Sequence, residues 1–380
     1  METSLSGLRA AHATFELADA SGVAFARRGA AELARQMVFD ETDLGRVALV
    51  VTEVSTNILK HAGHGELLVR PLPAAPDGTA AGGVEIIAID NGPGMSDVRL
   101  AFRDGSSTAG TPGTGLGAVR RLSEEVTVYS QPRLGTVLRA VLRSRNSSAR
   151  AAAPPARANP VVDVGGICVP YPGEQVSGDA WSVEADQSGL TMTVADGLGH
   201  GPDAHVAATA AIDIARRRAG RSPGELMQLA HGALRSTRGA AVAIARLDLA
   251  RGRLGFTGTG NIAATVFNVG RPRLIGGAHG APSVVHPDDA RGHWQLTSRN
   301  GIVGHTMRDV QEFEVEWTRN ALVVLCSDGI GTRWDLSAYP GLVLQPSVMI
   351  AAVLYRDFAR RRDDATVVVV KAQAGLPGDP

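Results

Sequence analysis

Apolar residues recur at helical spacing in two early stretches of the chain, residues 22–38 and 41–62. A repeat every three or four residues is typical of a helix with one buried face. Runs of apolar and β-branched residues follow, and they predict four strands, at 67–71, 83–89, 126–130 and 136–142. Helices combined with such a set of strands predict a two-layer α/β domain in the first part of the chain.

A second pattern, richer in strands, occupies the later part of the chain. Helices are predicted at 203–218, 223–235 and 348–361. The strand-like segments are short and separated by turn residues, and they lie at 161–169, 190–195, 240–248, 253–258, 263–268, 311–317, 321–326 and 365–372. Many short strands with few helices predict two packed sheets flanked by helices.

The segment SRNSSARAAAPPARANP, residues 144–160, separates the two patterns. It is rich in Pro, Ala, Ser and Arg and lacks apolar periodicity, which is typical of an extended linker. A length of 380 residues also suits two domains. We therefore predict an α+β protein with a first domain at 1–143, a linker at 144–160 and a second domain at 161–380.

Composition narrows the classes of partner and compartment. The 38 Lys and Arg residues balance the 38 Asp and Glu residues, so no overall charge attracts nucleic acid or an anionic membrane. Cys168 and Cys326 lie in apolar contexts that favour buried thiols over a disulfide framework. No basic and apolar leader is recognisable, and no apolar run reaches the roughly 18 residues of a membrane helix. The sequence predicts a cytoplasmic protein that binds neither nucleic acid nor membrane, and it leaves the oligomeric state open.

One predicted helix carries a polar stripe. In EVSTNILKH, Glu53, Asn57 and His61 are spaced at i, i+4 and i+8, which places them on one face of a helix. Apolar neighbours such as Val54 and Ile58 supply the buried face. The stripe therefore faces either solvent or a ligand, and spacing alone leaves both interpretations open.

Two glycine-rich segments follow the stripe. The apolar strand of VEIIAIDNGPGM ends at Asp90, before Gly92 and Gly94. A carboxylate in such a turn can accept a hydrogen bond from an exocyclic amine, and an ordinary Asx turn has the same pattern. In GTPGTGLG, three glycines precede a helix-like segment whose first amide groups suit phosphate: Gly113, Gly115 and Gly117. This segment follows a loop instead of a strand, so it does not predict a dinucleotide-binding fold.

The order of these segments resembles the GHKL ATPase superfamily, with EVSTNILKH, DNGPGM and GTGLG in the places of its N, G1 and G2 boxes. Within it, residues from about 20 to 142 look most like the RsbT-type serine kinases. The resemblance implies a Bergerat-type α/β sandwich that binds ATP and Mg²⁺, with Asn57 as the magnesium ligand, Glu53 as the catalytic base or a water-orienting carboxylate, and Asp90 as the adenine contact. It also implies a nucleotide pocket completed by Gly92, Gly94, Gly113, Gly115, Gly117 and Thr136, with the loop at 105–117 as a lid over ATP.

Four acidic sites recur at strand ends and turns in the second pattern. They are Asp179 in VSGDAW, Asp196 in VADGLGHG, Asp328 in CSDGIG, and the pair Asp363 and Asp364 in RRDDAT. Carboxylates gathered in this way suit hard divalent cations such as Mg²⁺ or Mn²⁺. Because each aspartate alone is common in a turn, the prediction of a metal centre depends on the four sites together.

These segments resemble the SpoIIE-type metal-dependent serine/threonine phosphatases, and most closely their RsbX-like members. The resemblance covers about 161–372 and implies an αββα sandwich with two Mn²⁺ or Mg²⁺ ions bridged by water. It implies Asp196 as the bridging and catalytic ligand. The further ligands that it implies are the Gly197 carbonyl, Asp179, Asp328 and Asp363.

Some assignments near this centre remain open in the sequence. The DDAT motif offers two candidates for its metal ligand, and its phase favours Asp363 over Asp364. His200 either donates a proton to the leaving alkoxide or shapes a turn. Asp203 is expected to cap the helix that follows it. The phosphate-binding arginine of some relatives has no counterpart before SGDAW, which leaves the metals alone to hold phosphate.

Taken together, these resemblances imply a cytoplasmic partner-switching regulator with two activities. One is ATP-dependent protein serine/threonine kinase activity, and the other is metal-dependent phosphatase activity on phosphoserine or phosphothreonine. The implied partners are STAS-domain proteins of an anti-sigma or stressosome pathway. The alternative is a nucleotide-gated, anti-sigma-like binding module, without kinase activity, fused to a phosphatase.

Overall fold

The structure is a computed structural model that describes residues 11–37, 39–74, 80–102, 115–145, 162–276, 286–288 and 293–372. The chain forms two compact units. The first spans His12–Arg157 and also takes in Asp335–Gln345, and the second comprises Met1–Ala11, Ala158–Trp334 and Pro346–Pro380. The domain limits predicted from the sequence stay a prediction, because residues 146–161 lie outside the described part.

The first unit contains a five-stranded antiparallel sheet with strand order β1-β2-β3-β5-β4. Its elements are β1 (Ala13–Leu17), α1 (Ala20–Gln36), α2 (Glu41–His61), β2 (Gly65–Leu72), β3 (Gly83–Asp90), α3 (Val98–Ala101), α4 (Gly115–Leu122), β4 (Glu125–Gln131) and β5 (Gly135–Arg143). Short 3-10 turns at Leu336–Ala338 and Leu342–Leu344 belong to the late segment of the same unit. The two-layer α/β architecture predicted for this part of the chain is confirmed.

The helices of the first unit begin where side chains cap them. Asp19 accepts hydrogen bonds from the amides of Ser21 and Gly22, and Asp40 accepts one from the amide of Asp43. The buried alanines of α1 and the buried valines of α2 pack with one face of the sheet in a single apolar cluster. This packing fixes α2, and with it the polar stripe that the helix carries.

The opposite face of the sheet buries a charge cluster centred on Glu85. Its carboxylate lies 2.6 Å from Nε of Arg70 and 2.6 Å from Nε of Arg139, and all three side chains are largely or wholly buried. Burial alone would raise the pKa of Glu85, but the two guanidinium groups outweigh it and hold that pKa well below its usual range. The cluster is therefore charged, and each ion depends on its partners.

The second unit contains two six-stranded sheets. Its strands are β6 (Val162–Val169), β7 (Asp179–Ala185), β8 (Gly189–Gly197), β9 (Ala240–Asp248), β10 (Arg253–Thr259), β11 (Ala263–Phe267), β12 (Arg273–Gly276), β13 (His286–Asp288), β14 (His293–Leu296), β15 (Glu312–Glu316), β16 (Leu322–Cys326) and β17 (Ala365–Ala372). Its helices are α5 (Pro202–Arg217), α6 (Pro223–Ala233) and α7 (Ser347–Phe358), with a 3-10 turn at Leu234–Ser236. The sheet orders are β12-β15-β10-β9-β8-β7 and β13-β14-β11-β16-β17-β6.

The two sheets pack face to face and enclose the main core of the second unit. Buried side chains from both sheets, among them Trp181, Phe256 and Val368, form one cluster. Helices α5 and α6 cover the outer face of the sheet that contains β8 and β9, and α7 packs on β6 and β17. The predicted αββα sandwich is confirmed.

The predicted elements differ from the observed ones mainly at their ends. The helix predicted to reach residue 361 ends at Phe358, and Ala359 then forms a bridge with Ile330. Strands β1, β7, β12, β13 and β14 were not predicted. Among the described residues, no helix combines the length and the apolar character needed to cross a membrane.

We expect Glu85→Ala to lower the stability of the first unit by about 3–5 kcal/mol, because the guanidinium groups of Arg70 and Arg139 lose the buried carboxylate that they share. Hydrogen exchange of peptides from β2 and β3 in increasing urea measures this loss locally. The matched control is Glu32→Ala, which removes an exposed ion pair with Arg35 and costs about 1 kcal/mol or less. Equal losses in the two variants would contradict the account of the cluster.

Candidate functional sites

The first candidate site begins with two polar side chains on α2. Glu53 and Asn57 lie one turn apart and are half-buried, next to the fully packed Val54 and Ile58. A Cβ atom added to Gly115, the first residue of α4, would lie 3.5 Å from the Asn57 amide and 3.7 Å from Oε2 of Glu53. The start of α4 therefore faces these two side chains, with no side chain of its own between them.

Asp90 forms the second part of this site. Its Oδ1 accepts hydrogen bonds from the amide of Gly92 at 2.9 Å and from the amide of Thr136 at 3.2 Å. Thr136 lies directly opposite Asp90 in the β3–β5 ladder. The bond from Gly92 is that of an Asx turn, so the simpler interpretation of this motif also holds. These bonds fix the direction of the carboxylate at the end of the strand.

Packing explains the glycines of this loop. A Cβ atom on Gly92 would lie 2.6 Å from the Cβ atom of Ala62, the residue that ends α2, so the loop rests against the end of that helix. Gly94 has φ +66°, and a Cβ atom there would collide with the Gln131 carbonyl. Both positions require glycine whether or not a nucleotide binds.

The structure thus brings most of the predicted nucleotide residues to the region between α2, α4 and the loop after β3. Gly117 is buried in α4. Gly113 lies outside the described residues, as does most of the predicted 105–117 lid. Sequence analysis missed Ser130, whose hydroxyl accepts the amide hydrogen bond of Met95 and lies 2.9 Å from the Thr136 hydroxyl. A lone serine in a strand gives no signal that would have identified it.

The second candidate site lies where the two sheets of the sandwich end together. Asp179 and Asp196 are direct cross-strand partners at the end of the β7–β8 hairpin. Asp328 follows β16 and Asp363 precedes β17, and these two strands are antiparallel neighbours. The Ser327 hydroxyl donates a 2.6 Å hydrogen bond to Oδ2 of Asp179, which joins the two sheets at this end.

Neighbouring polar groups orient several of these carboxylates. The Thr366 amide donates to the Ser327 hydroxyl at 2.9 Å, so that hydroxyl is fixed as the donor to Asp179. The Asn261 amide donates to Oδ2 of Asp328 at 2.5 Å. Ser327 adjoins a predicted residue, but Asn261 lies in a turn that carries no recognisable motif. Neither was identified from the sequence.

The two aspartates of the DDAT motif have different environments. Asp364 is buried, and its Oδ1 accepts hydrogen bonds from the Tyr171 amide at 2.8 Å and the Ser177 hydroxyl at 3.1 Å. Asp363 is half-buried and raises the pKa of both Asp196 and Asp328, so its charge is close to theirs. Asp364 holds the 171–178 loop, and its charge also raises the pKa of Asp196. The choice of Asp363 over Asp364 as the ligand therefore stays a prediction.

The carboxylates repel one another. Burial raises the pKa of Asp196, and the charges of Asp179, Asp328 and Asp363 raise it further. Burial also raises the pKa of Asp179, and the nearby Asp364 adds to this effect despite the hydrogen bond from Ser327. Without a cation, ionising this group of side chains costs free energy in the folded state.

The donor set suits hard divalent cations. Oδ1 of Asp179 and Oδ2 of Asp364 are buried and have no hydrogen-bond partner among the described residues. Buried oxygens of this kind are costly unless something compensates them, and oxygen ligands are those that Mg²⁺ and Mn²⁺ prefer. Within the described ranges no three His, Cys, Asp or Glu side chains are already gathered closely enough to hold an ion. The carboxylates are electrostatic neighbours and not an assembled coordination shell.

Packing explains the glycines that follow two of the aspartates. A Cβ atom on Gly197 would collide with the Ala204 carbonyl in α5, and one on Gly329 would collide with the Asp364 carbonyl. The role of the Gly197 carbonyl as a ligand therefore stays a prediction, since its glycine has a structural reason.

His200 and Asp203 lie at the edge of this site. Nδ1 of His200 is 2.8 Å from Oε1 of Glu174, and its ring stacks on Tyr171 with the ring centroids 4.5 Å apart. The prediction that Asp203 caps α5 is wrong: Gly201 occupies the N-cap position, and no side chain caps this helix. Asp203 instead pairs with Arg238, because it lies within the first turn and points toward that guanidinium.

Comparison with known proteins gives the following matches. The histidine kinase-like ATPase domain family matches residues 17–142. The serine/threonine-protein kinase RsbT of Bacillus subtilis is 34% identical over 116 residues, which are 30% of this chain and 84% of RsbT. The structure of RsbX in complex with magnesium is 19% identical and covers 57% of this chain and 97% of its own, with a TM-score of 0.46. The phosphatase domain of SpoIIE from Bacillus subtilis, with a fragment of its regulatory domain, is 16% identical and covers 78% of this chain and 80% of its own, with a TM-score of 0.44.

The fold and the matched residues define the first unit as a histidine kinase-like ATPase domain. Since 84% of RsbT is matched at 34% identity, the chain belongs, through this unit, to the family of the serine/threonine-protein kinase RsbT. The relationship predicted from the motifs EVSTNILKH, DNGPGM and GTGLG is confirmed. The chemistry of the second unit depends on its own carboxylates.

We expect Asp196→Asn to raise the stability of the metal-free second unit by about 1 kcal/mol or more at neutral pH. Burial and the neighbouring carboxylates raise the pKa of Asp196 to about 9, so the folded state must take up a proton there that the unfolded chain does not, and asparagine avoids this cost. The same variant should lose the gain in stability that Mn²⁺ gives the wild type, which is about 2.7 kcal/mol at 100 times the Kd. Thermal unfolding followed by tryptophan fluorescence, with EDTA or Mn²⁺, measures both effects. All four tryptophans belong to this unit.

The matched control is Asp186→Asn at the other end of the same hairpin. Burial alone would raise the pKa of Asp186, but hydrogen bonds from Arg246 and Ser188 lower that pKa to about 2. A lowered pKa stabilises the fold above the carboxyl's unfolded pKa, so this variant should lose roughly 1–3 kcal/mol at neutral pH with or without metal. If Asp196→Asn instead destabilised the metal-free protein as Asp186→Asn does, the repulsion account would be wrong.

Proposed function

We propose that the first unit is an ATP-dependent protein serine/threonine kinase. The observation that carries this proposal is the position of Glu53 and Asn57, one turn apart on α2 and facing the bare start of α4. Membership of the RsbT family supports it, since RsbT is named as a serine/threonine-protein kinase. The nucleotide contacts proposed here are Asp90, Gly92, Gly94, Gly113, Gly115, Gly117 and Thr136.

Each side chain of the first site suits one task in phosphoryl transfer. The Asn57 amide offers an oxygen to Mg²⁺, and the amides at the start of α4 can receive phosphate oxygens. Asp90, held by two backbone amides, can accept a hydrogen bond from the adenine amine. Glu53 can accept the proton of the attacking hydroxyl. A magnesium ion bound with ATP would neutralise charge on the phosphates.

We expect Glu53→Gln to keep ATP affinity and to lower the rate of phosphate transfer by about 100-fold or more, because only proton acceptance is lost. Asn57→Ala should lose Mg²⁺-dependent ATP binding. Titration calorimetry with ATP and radiolabelled transfer to a candidate protein substrate measure the two effects. Lys60→Ala, an exposed position one turn further along α2, serves as the control. Unchanged ATP affinity in Asn57→Ala would contradict the site.

The same experiment separates the kinase from the alternative of a nucleotide-gated binding module. A module that only sequesters its partner would bind ATP, bind the partner and transfer no phosphate from wild-type protein. The half-buried Glu53 beside Asn57 favours the kinase, because a pure clamp has no need of a carboxylate there.

We further propose that the second unit is a metal-dependent phosphatase for phosphoserine or phosphothreonine. The observation that carries it is the meeting of Asp179, Asp196, Asp328 and Asp363 at one end of the sandwich, with a buried carboxylate oxygen that has no hydrogen-bond partner among the described residues. These four side chains, with the Gly197 carbonyl, are the proposed ligands of two ions. When bound, two divalent cations would supply a hydroxide near neutral pH and neutralise the phosphoryl oxygens.

The chain's own groups hold this centre in place. Ser327 orients Asp179, and Asn261 orients Asp328. Asp364 ties the 171–178 loop to the start of β17 through the Tyr171 amide and the Ser177 hydroxyl. Such outer hydrogen bonds orient ligands and tune their affinity for metal.

We expect hydrolysis of p-nitrophenyl phosphate by wild type with Mn²⁺ or Mg²⁺, loss of activity in EDTA, and loss of at least about 100-fold in Asp328→Asn. Asp248→Asn is the matched control, since Asp248 is an ordinary turn aspartate that accepts the Arg251 amide. If Asp328→Asn kept the activity of this control, Asp328 would be a turn residue and not a ligand.

The proposed cellular role is that of a partner-switching regulator in the cytoplasm. RsbT is named as a serine/threonine-protein kinase, which supports phosphorylation of a protein substrate by the first unit. We propose STAS-domain proteins as the substrates, with both activities acting in one pathway. Transfer of radiolabel to a purified STAS protein, followed by its metal-dependent release, tests this proposal.

A further inference from the structure

The proposed phosphatase site requires a group that holds the substrate phosphate, and the sequence offers no arginine before Asp179 for this task. The structure brings an arginine from elsewhere. Arg238 lies in the turn between the 3-10 segment at Leu234–Ser236 and β9. The neighbouring Gly239 carbonyl accepts a 3.0 Å hydrogen bond from the Leu198 amide, so this turn is attached to the loop that follows Asp196.

The guanidinium of Arg238 lies over that loop. A Cβ atom added to Gly199 would be 3.4 Å from Nη1 of Arg238, so no side chain separates the guanidinium from the loop backbone. A Cβ atom added to Gly178 would lie 3.3 Å from the Gly199 carbonyl and 2.7 Å from Oδ2 of Asp364. The loop under Arg238, which directly follows Asp196 in the sequence, therefore lies beside the carboxylate centre.

The ion pair between Arg238 and Asp203 can be broken at little cost. Nη2 of Arg238 is 2.5 Å from Oδ2 of Asp203, and the two side chains are 51% and 67% exposed. An ion pair with this exposure contributes little to stability, so a phosphate dianion can replace Asp203 at small cost. The nearby Leu198 and His200 side chains are also exposed, which leaves this rim open to a protein substrate.

We propose that Arg238 binds the phosphoryl group of the substrate in the second site, and that Asp203 holds the guanidinium when no substrate is present. The planar guanidinium can donate two parallel hydrogen bonds to phosphate oxygens, which fixes the orientation of the phosphoryl group as well as its position. Arg238 is a specificity residue in this role, since the carboxylates remain responsible for the metals. The inference depends on the proposed phosphatase activity and assigns its phosphate contact.

Arg360 is the competing candidate. The pKa of Asp328 is raised by burial and by Asp363, and the charge of Arg360 partly offsets this rise, so Arg360 lies near that carboxylate. Its amide donates to the Gly329 carbonyl at 2.8 Å, which gives it a structural role beside a proposed ligand. The Arg238 guanidinium is instead paired with the exposed Asp203.

The test compares Arg238→Ala with wild type, using a phosphoserine peptide as substrate and inorganic phosphate as inhibitor, both with Mn²⁺. We expect KM for the peptide and the inhibition constant of phosphate to rise roughly 10- to 100-fold, with Mn²⁺ affinity unchanged. Arg238→Lys should recover part of the loss, because it restores charge without the paired donors. Added guanidinium should partly rescue Arg238→Ala only.

Two controls keep the outcomes distinct. Arg235→Ala removes an exposed positive charge three residues away and should leave KM unchanged, whereas a general effect of charge would raise it. A rise in KM in Arg360→Ala but not in Arg238→Ala would overturn the inference and assign the phosphate to Arg360. Titration of Mn²⁺-loaded protein with phosphate gives a readout without turnover: weaker binding in Arg238→Ala supports the inference, and equal binding overturns it. Absent turnover in wild type, by contrast, would contradict the proposed phosphatase itself.

Discussion

The mutual repulsion of a few aspartates is the constraint on which the proposed metal site of the second unit depends. Asp179 and Asp196 are directly opposite each other across two paired strands, and Asp328 and Asp363 add their charges from the second sheet. A fold gains nothing from placing carboxylates in this way, because burial and like charge both oppose their ionisation. The surrounding structure nevertheless holds them there, through the Ser327 hydrogen bond and the tight packing of α5 on the hairpin. The arrangement is stable as a charged group only with cations to offset it.

The polar groups of the first unit have different surroundings from those aspartates. Its buried carboxylate Glu85 is paired with two guanidinium groups, and its buried Asp43 is paired with Arg46. Its candidate nucleotide site consists of half-buried side chains and backbone amides. The proposed nucleotide would therefore bind to a prearranged surface, whereas the proposed metals would offset repulsion between carboxylates. The two sites differ in their electrostatics as well as in their chemistry. For this reason, nucleotide and chelator should change the occupancy of the two sites separately.

The sequence predicted well the helices and strands that have periodic apolar residues. It predicted poorly the individual side-chain contacts that turns bring together. Helix α2 and strands β3 and β17 have continuous apolar periodicity, and their predicted bounds lie within one residue or two of the observed ones. Strand β7 was missed because DAWSVEA mixes polar and apolar residues without a clear alternation. The acidic motifs were visible because each precedes or follows a glycine or a strand. Asn261 and Arg238 were invisible, since turns bring them to the site from distant positions and no local pattern marks their role.

The central claim is that the aspartates at the end of the sandwich bind divalent cations. X-ray diffraction from crystals grown with Mn²⁺, using anomalous scattering at the manganese edge, tests it most directly. The account predicts two strong peaks in contact with Asp196, with Asp179, Asp328 and Asp363 completing their shells and Asp364 still bound to the Tyr171 amide. No peak at this end of the sandwich, at Mn²⁺ concentrations that support turnover, would contradict it.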